Sequence, residues 1–224
     1  MRIHGIDIPS GESIACRALN VAVACVGLAL AGPLMLVIAA LVKLTSPGPV
    51  FYRQVRVGLD RRAGRAPGDA ATPDERDAGG KPFTILKFRT MQHCDASKER
   101  QVWAAPDDPR ITPLGSVLRR FRLDELPQLI NVLRGDMNVV GPRPEQPQIV
   151  QRLRRAVSGY GLRHCVRPGI TGLAQTMLGY DQSVDDVRRK VALDLEYVRR
   201  RSALHDLSIM LRTPSVMLGR RGAI

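Results

Sequence analysis

RLDELPQLINVLRGDMNVVGPRPE, Arg122 to Glu145, is the stretch that decides how this chain is read. Leu126, Leu129, Ile130 and Leu133 fall at i, i+3, i+4 and i+7, the apolar stripe of a helix. Pro127 is tolerated only in a first turn, where backbone N–H groups lack intrahelical partners, so the spacing predicts a helix with Asp124 at or beside its N-cap. Arg134 and Gly135 close it. The macrodipole favours an ionised carboxylate at the N-terminal end, and the free N–H groups there can hold a phosphate. An Asp-Glu pair at a helix start is commonly no more than a cap. Here Asp124 and Glu125 are preceded by Arg119, Arg120 and Arg122 and followed, past the helix, by Val-Val-Gly-Pro-Arg-Pro. Pro142 and Pro144 stiffen the backbone around Arg143 for a bidentate grip on phosphate. Two carboxylates among fixed arginines point to a metal and a phosphate.

Composition narrows the partners. The 224 residues form one domain of ordinary size, and a net charge of +13 implies anionic company: nucleic acid, acidic lipid headgroups or phosphorylated substrates. Aromatic residues make up only 4%, too few for base-stacking platforms, so lipid or a nucleotide-sugar is expected rather than nucleic acid. Cys16, Cys25, Cys94 and Cys165 show neither metal spacing nor a disulfide framework and are read as reduced thiols facing a cytosol.

Val21 to Val42 holds no charged or polar side chain and is long enough to cross a hydrocarbon core; no small-residue cleavage site follows it. Gly32 and Pro33 interrupt its midpoint, and cations flank both ends, with Arg17 before it and Lys43, Arg53 and Arg56 after. A kinked span and a re-entrant hairpin both satisfy these residues. Beyond the turn-rich Thr45 to Pro49, strands are predicted at Val50 to Val57 and at Phe83 to Met91. The two-residue period sets Lys87 and Arg89 on one face of the second strand, toward a substrate phosphate or toward solvent. Between the strands, Arg61 to Gly80 reads as a mobile loop.

Thr112 and Pro113 start a helix whose buried face is expected to be Leu114, Val117, Leu118 and Phe121. Arg167-Pro168-Gly169 makes a second stiff arginine loop, and the neighbouring His164 is read as structural or headgroup-facing rather than as a base. A long helix from Ser183 and the apolar, methionine-rich Leu204 to Leu218 suit either an anionic membrane interface or an amphipathic core.

Four ordered blocks, SPGPVFYRQVRVGLD, KPFTILKFRTM, DPRITPLGSVLRRFRLDELPQLINVLRGDMNVVGPRPE and LRHCVRPGITGLAQ, resemble the bacterial sugar transferases that are monotopic phosphoglycosyl transferases. The resemblance runs from about Arg17 to the last helices. It implies an α+β, membrane-embedded monotopic protein on the cytoplasmic face of the bacterial inner membrane. Residues 1–48 would carry a proline-broken re-entrant helix at about 18–44, and 49–224 a catalytic domain with an insertion at about 61–80 and interfacial amphipathic helices at its C-terminus. The implied reaction moves a sugar-1-phosphate from a UDP-sugar to a polyprenyl phosphate, most simply undecaprenyl phosphate, as the first membrane step of a polysaccharide pathway. Asp124 would attack the β-phosphate and release UMP, and Glu125 would position Mg2+ or the aspartate. Lys87, Arg89, Arg119, Arg143 and Arg167 would bind phosphate or nucleotide, with Arg119 matching an active-site arginine of the family. The chain departs from the family pattern in the insertion, in Gly32 where serine is frequent, and in Asn20 where aspartate is frequent. The competing class is a non-enzymatic, membrane-anchored basic module for anionic lipid or nucleic acid.

Overall fold

The computed structural model describes residues 2–3, 6–7, 12–60, 79–92, 108–178 and 184–218; of the insertion expected at 61–80, only Gly79 and Gly80 lie among them. Strands β1 (Arg2–Ile3) and β2 (Ile6–Asp7) form a small antiparallel ladder. Helix α1 (Ile14–Thr45) starts at Ser13, whose hydroxyl accepts the Cys16 N–H, and runs unbroken through Gly32 and Pro33. Its 32 residues make about 48 Å of helix, long and apolar enough to cross a membrane. Leu30, Leu34, Leu36 and Leu44 are exposed along it.

The rest of the chain packs against α1 near both of its ends. Near the start, Arg17 donates to the carbonyl of Val132, and the buried Asn20 takes the Val139 N–H at 2.6 Å on its side-chain oxygen. Near the finish, Ile38 and Val42 pack with Phe88 and Leu118. Asn20 therefore performs an anchoring role: its amide is an acceptor toward Val139 and a donor to the Cys16 carbonyl, which an ionised aspartate could not match with both atoms.

β3 (Phe51–Val57) and β4 (Pro82–Phe88) form the antiparallel hairpin that their alternation predicts, with Tyr52 opposite Lys87 and Arg56 opposite Phe83. Phe83 and Ile85 turn inward beside Lys87 on one face, and Phe88 fills the opposite face. Helix α2 (Pro113–Arg120) is capped by the Thr112 hydroxyl. Its buried face is narrower than expected: Gly115 and Leu118 are buried, whereas Val117 and Phe121 are about half exposed. The close approach of the Thr90 carbonyl to Gly115 turns that side inward and leaves the other two outside.

A 3-10 turn (Leu123–Glu125) leads to α3 (Gln128–Arg134), which ends on Gly135 in the left-handed conformation. The helix thus starts later than Asp124, and Asp124 is not its N-cap. Pro127 has no N–H to give the Leu123 carbonyl, so the Leu126 N–H takes it instead and the chain tightens into 3-10 geometry. The buried face also rotates, to Gln128, Leu129, Asn131 and Val132, leaving Leu133 exposed. Asn131 fixes α3 to the hairpin by accepting the Leu86 N–H and donating to the Thr84 carbonyl.

Strand β5 (Asn138–Val140) pairs in parallel with β6 (Gly169–Thr171), flanked by α4 (Pro147–Ala156), a 3-10 segment (Tyr160–Cys165) and α5 (Leu173–Met177). The two glycine-proline loops interlock backbone to backbone: Gly141 donates to Thr171 and Gly169 donates to Pro142. A Cβ on Gly169 would collide with the Gly141 nitrogen, so the approach requires glycine. Helices α6 (Val184–Arg200) and α7 (Ala203–Leu218) follow, with Leu204, Leu207 and Leu211 exposed on α7.

Candidate active site

Asp124 and Glu125 are both buried on the 3-10 turn, and β4 delivers Lys87 between them. The Lys87 ammonium lies 2.7 Å from Glu125 Oε1 and 3.9 Å from Asp124 Oδ2. Arg143, on the loop that the interlocked glycines hold, donates to the same Glu125 oxygen at 3.1 Å, and Arg122 stands 3.8 Å from the other. Burial alone would raise the proton affinity of Glu125, but Lys87, Arg143 and Arg122 outweigh it and hold the carboxyl well below the usual range. Asp124 goes the other way: burial prevails over the pull of Lys87, the neighbouring Glu125 charge adds to it, and its pKa is raised. Adjacent carboxyls whose proton affinities are pushed in opposite directions suit divided roles.

Around the pair stands a cationic rim. Arg119 is held by the Thr90 hydroxyl at 2.9 Å, and its charge is felt at Asp124. Arg56, which shares the sheet face of Lys87, bonds the Pro144 carbonyl and lies 3.5 Å from Glu145. Lys190 of α6 stands 3.5 Å from the other Glu145 oxygen. A buried carboxylate ringed by fixed cations suits attack on a phosphate whose charge needs neutralising.

The family model described as bacterial sugar transferase matches residues 11–220. The chain belongs to the bacterial sugar transferase family. It is 41% identical over 204 residues to the UDP-glucose:undecaprenyl-phosphate glucose-1-phosphate transferase of Caulobacter vibrioides, covering 90% of this chain and 69% of that protein. It is 40% identical over 208 residues to the UDP-N-acetylgalactosamine-undecaprenyl-phosphate N-acetylgalactosaminephosphotransferase of Aeromonas hydrophila, covering 92% of this chain but only 44% of the relative. The exopolysaccharide production protein ExoY of Rhizobium meliloti is 38% identical over 222 residues, covering 92% and 87%. Membership of this family favours chemistry over a basic anchoring module.

Within this member of the family, four of the expected site residues converge: Asp124, Glu125, Lys87 and Arg143, with Arg119 beside them. Arg89 and Arg167 do not join them. β4 ends at Phe88, so Arg89 leaves the sheet face of Lys87 and its buried guanidinium caps the end of α1, donating to the carbonyls of Ser46 and Pro47 and to the Ser46 hydroxyl. Arg167 is held by Glu12, just ahead of α1, and by the Gly135 carbonyl. Arg89→Ala is accordingly expected to leave substrate KM unchanged and to cost about 2 kcal/mol, lowering the thermal midpoint in detergent by roughly 4–8 °C. Lys87→Met should differ in its kinetics, with a turnover loss of about 10²–10³-fold on top of a lower midpoint, because Glu125 keeps only Arg143 and Arg122 as partners. Kinetics and melting of the two variants side by side check the assignment.

Sequence reasoning left Arg56, Arg122 and Arg163 out of the site. Arg122 is the one described non-glycine residue with positive φ, at 53°, and that turn aims it back at Glu125. Arg163 is fully buried, paired with Asp194 at 2.7 Å, bonded to the Tyr160 hydroxyl and donating to the Arg143 carbonyl, so it sets the loop that carries Arg143. The register of the hairpin was the signal for Arg56; nothing in the sequence pattern marked Arg163 as buried. His164 is buried with its pKa lowered to about 3, first by burial and then by Arg163 and Arg154, so its ring is neutral.

Among the described residues no group of three or more His, Cys, Asp or Glu side chains gathers to hold a metal. The donor set is the carboxylate pair: Glu125 is surrounded by cations, and among the described residues the cation nearest Asp124 is Lys87 at 3.9 Å. A hard cation held by one or two carboxylates and completed by substrate phosphates fits that set, as Mg2+ commonly does.

Proposed function

We propose that this protein transfers a sugar-1-phosphate from a UDP-sugar to a polyprenyl phosphate through a covalent intermediate on Asp124, at the cytoplasmic face of the bacterial inner membrane, as the first membrane step of polysaccharide assembly. The opposite tuning of the two carboxyls carries the reading: Glu125 is locked to Lys87 and Arg143, and Asp124 is the carboxyl left to react. The relatives named above as UDP-sugar:undecaprenyl-phosphate transferases support the choice of donor and acceptor.

In the first half-reaction a carboxylate oxygen of Asp124 bonds to the β-phosphorus, and the bond from that phosphorus to the bridging oxygen breaks, so that UMP departs with the oxygen. Lys87 and Arg143 neutralise charge on the phosphoryl oxygens, and Glu125 keeps both cations in place. In the second half-reaction an oxygen of the lipid phosphate bonds to the same phosphorus and the Asp124 carboxylate is released unchanged. Mg2+ held by Asp124 or Glu125 would add Lewis-acid stabilisation of the diphosphate. Excess chelator should abolish turnover and Mg2+ should restore it; full activity in chelator removes the cation from the reading. Reconstituted protein with polyprenyl phosphate and either UDP-glucose or UDP-N-acetylgalactosamine should yield UMP and a lipid-linked sugar diphosphate. No product from a panel of UDP-sugars contradicts the proposal.

The packing of α1 supports a monotopic placement. One catalytic body contacts the helix at its start, through Arg17 and Ala24, and at its finish, through Ile38, Val42 and Ser46, so both ends lie against the same domain. With Pro33 at mid-helix and cations at both ends, both flanks belong on the cytoplasmic side. The exposed leucines of α1 and α7, with Val117 and Phe121 of α2, supply the lipid-facing surface of the interfacial helices. Single cysteines at Gly5 and Ser97 in a cysteine-free background should both resist an impermeant thiol reagent added from the periplasm. Labelling at Gly5 means that α1 spans.

A further inference from the structure

A cavity of about 210 Å³ lies behind the carboxylate pair, between α3, the β6–α5 loop and α7. Arg122 and Glu125 stand at one end, and Leu126, Leu129, Ile170 and Val216 form walls. Its threonines offer methyl groups rather than hydroxyls, because Thr213 bonds the Ile209 carbonyl and the Thr171 hydroxyl, and Thr176 bonds the Leu173 carbonyl. The cavity is therefore apolar in effect and charged at one end. Its walls also adjoin the lipid-facing elements: Leu129 rests against Gly27 in the apolar run of α1, and Val216 belongs to the helix that exposes Leu204, Leu207 and Leu211.

Resting on the function proposed above, we propose that this cavity receives the first isoprene units of the polyprenyl-phosphate acceptor, with the lipid phosphate at the Arg122 end. A phosphate there would lie beside Glu125 and one residue from Asp124, in reach of the phosphosugar that Asp124 carries. The occupant is the acceptor chain rather than the sugar because satisfied hydroxyls and aliphatic walls give a sugar few partners. Gln175 Oε1, buried without a donor, is the feature a sugar hydroxyl would use, and the test separates the two.

Val216→Trp fills the cavity from α7. It should raise KM for polyprenyl phosphate by about tenfold or more while UMP release from UDP-sugar alone stays within about twofold of the parent. Equal loss of lipid-independent UMP release places the sugar in the cavity and overturns the proposal, as does an unchanged KM for the lipid. A Val216→Cys thiol, in a background free of other cysteines, reads occupancy without turnover. Polyprenyl phosphate should slow its alkylation in detergent micelles, and phosphatidylglycerol at the same concentration should not. Equal protection by both lipids shows a general acyl-chain groove and sinks the proposal. Absence of UMP in the unmodified enzyme would count against the proposed reaction, and the alkylation result would still decide the cavity.

Discussion

Asp124→Asn is expected to lower turnover by about 10⁴-fold or more while leaving the fold intact, because the amide cannot form the acyl phosphate. The substitution keeps the size of a side chain whose burial disfavours its charge, so the thermal midpoint should hold or rise. Glu125→Gln should behave differently. It removes the counter-charge that Lys87 and Arg143 share, so it should lower stability by roughly 1–3 kcal/mol and reduce turnover without eliminating the covalent step. Melting curves and single-turnover kinetics of both variants make the comparison. A stable Asp124→Asn enzyme with ordinary turnover would transfer the nucleophile's role elsewhere.

Arg163→Met carries the largest expected effect on stability. The guanidinium is buried with Asp194 at 2.7 Å, and the Tyr160 hydroxyl and the Arg143 carbonyl each accept another of its N–H groups. Burial raises the proton affinity of Asp194 against the pull of Arg163, so removing the arginine strands a carboxyl in the interior. Breaking a buried pair from one side costs about 3–5 kcal/mol. Replacing both partners, Arg163→Met with Asp194→Leu, should recover much of that stability. It should not recover turnover, because the Arg143 loop loses its tether. Equilibrium unfolding of the single and double variants reads the first expectation and kcat the second. Full activity in the double variant would mean that the loop holds its shape through the glycine contacts alone.

Much of the site was legible where short-range chemistry decides the structure. Alternation placed the hairpin and set Lys87 on one of its faces, leaving open whether that face met substrate or solvent, and the paired prolines fixed the loop of Arg143. What the sequence withheld depended on distant partners. Arg89 has the same two-residue spacing from Lys87 as a site residue, but the strand stops one residue earlier and the open carbonyls at the end of α1 capture it. Arg167 sits in a stiff loop that looks built for phosphate, yet Glu12 from far earlier in the chain takes its charge. The start of α3 was misplaced because a proline marks the first turn of a helix without showing whether the preceding turn is α or 3-10. Val117 and Phe121 belong to an apolar stripe that faces outward, since the pattern cannot tell which apolar residues pack inward.

The most direct test of the covalent reading omits the lipid. Protein reconstituted in bilayers or detergent, given UDP-sugar and Mg2+ but no polyprenyl phosphate, should release UMP in a burst of about one equivalent per active site. Peptide mass spectrometry of the quenched protein should then find one sugar-phosphate on the peptide carrying Asp124. UMP release that waits for polyprenyl phosphate, with no adduct trapped by rapid quench, would contradict the account and favour direct transfer between the two bound substrates.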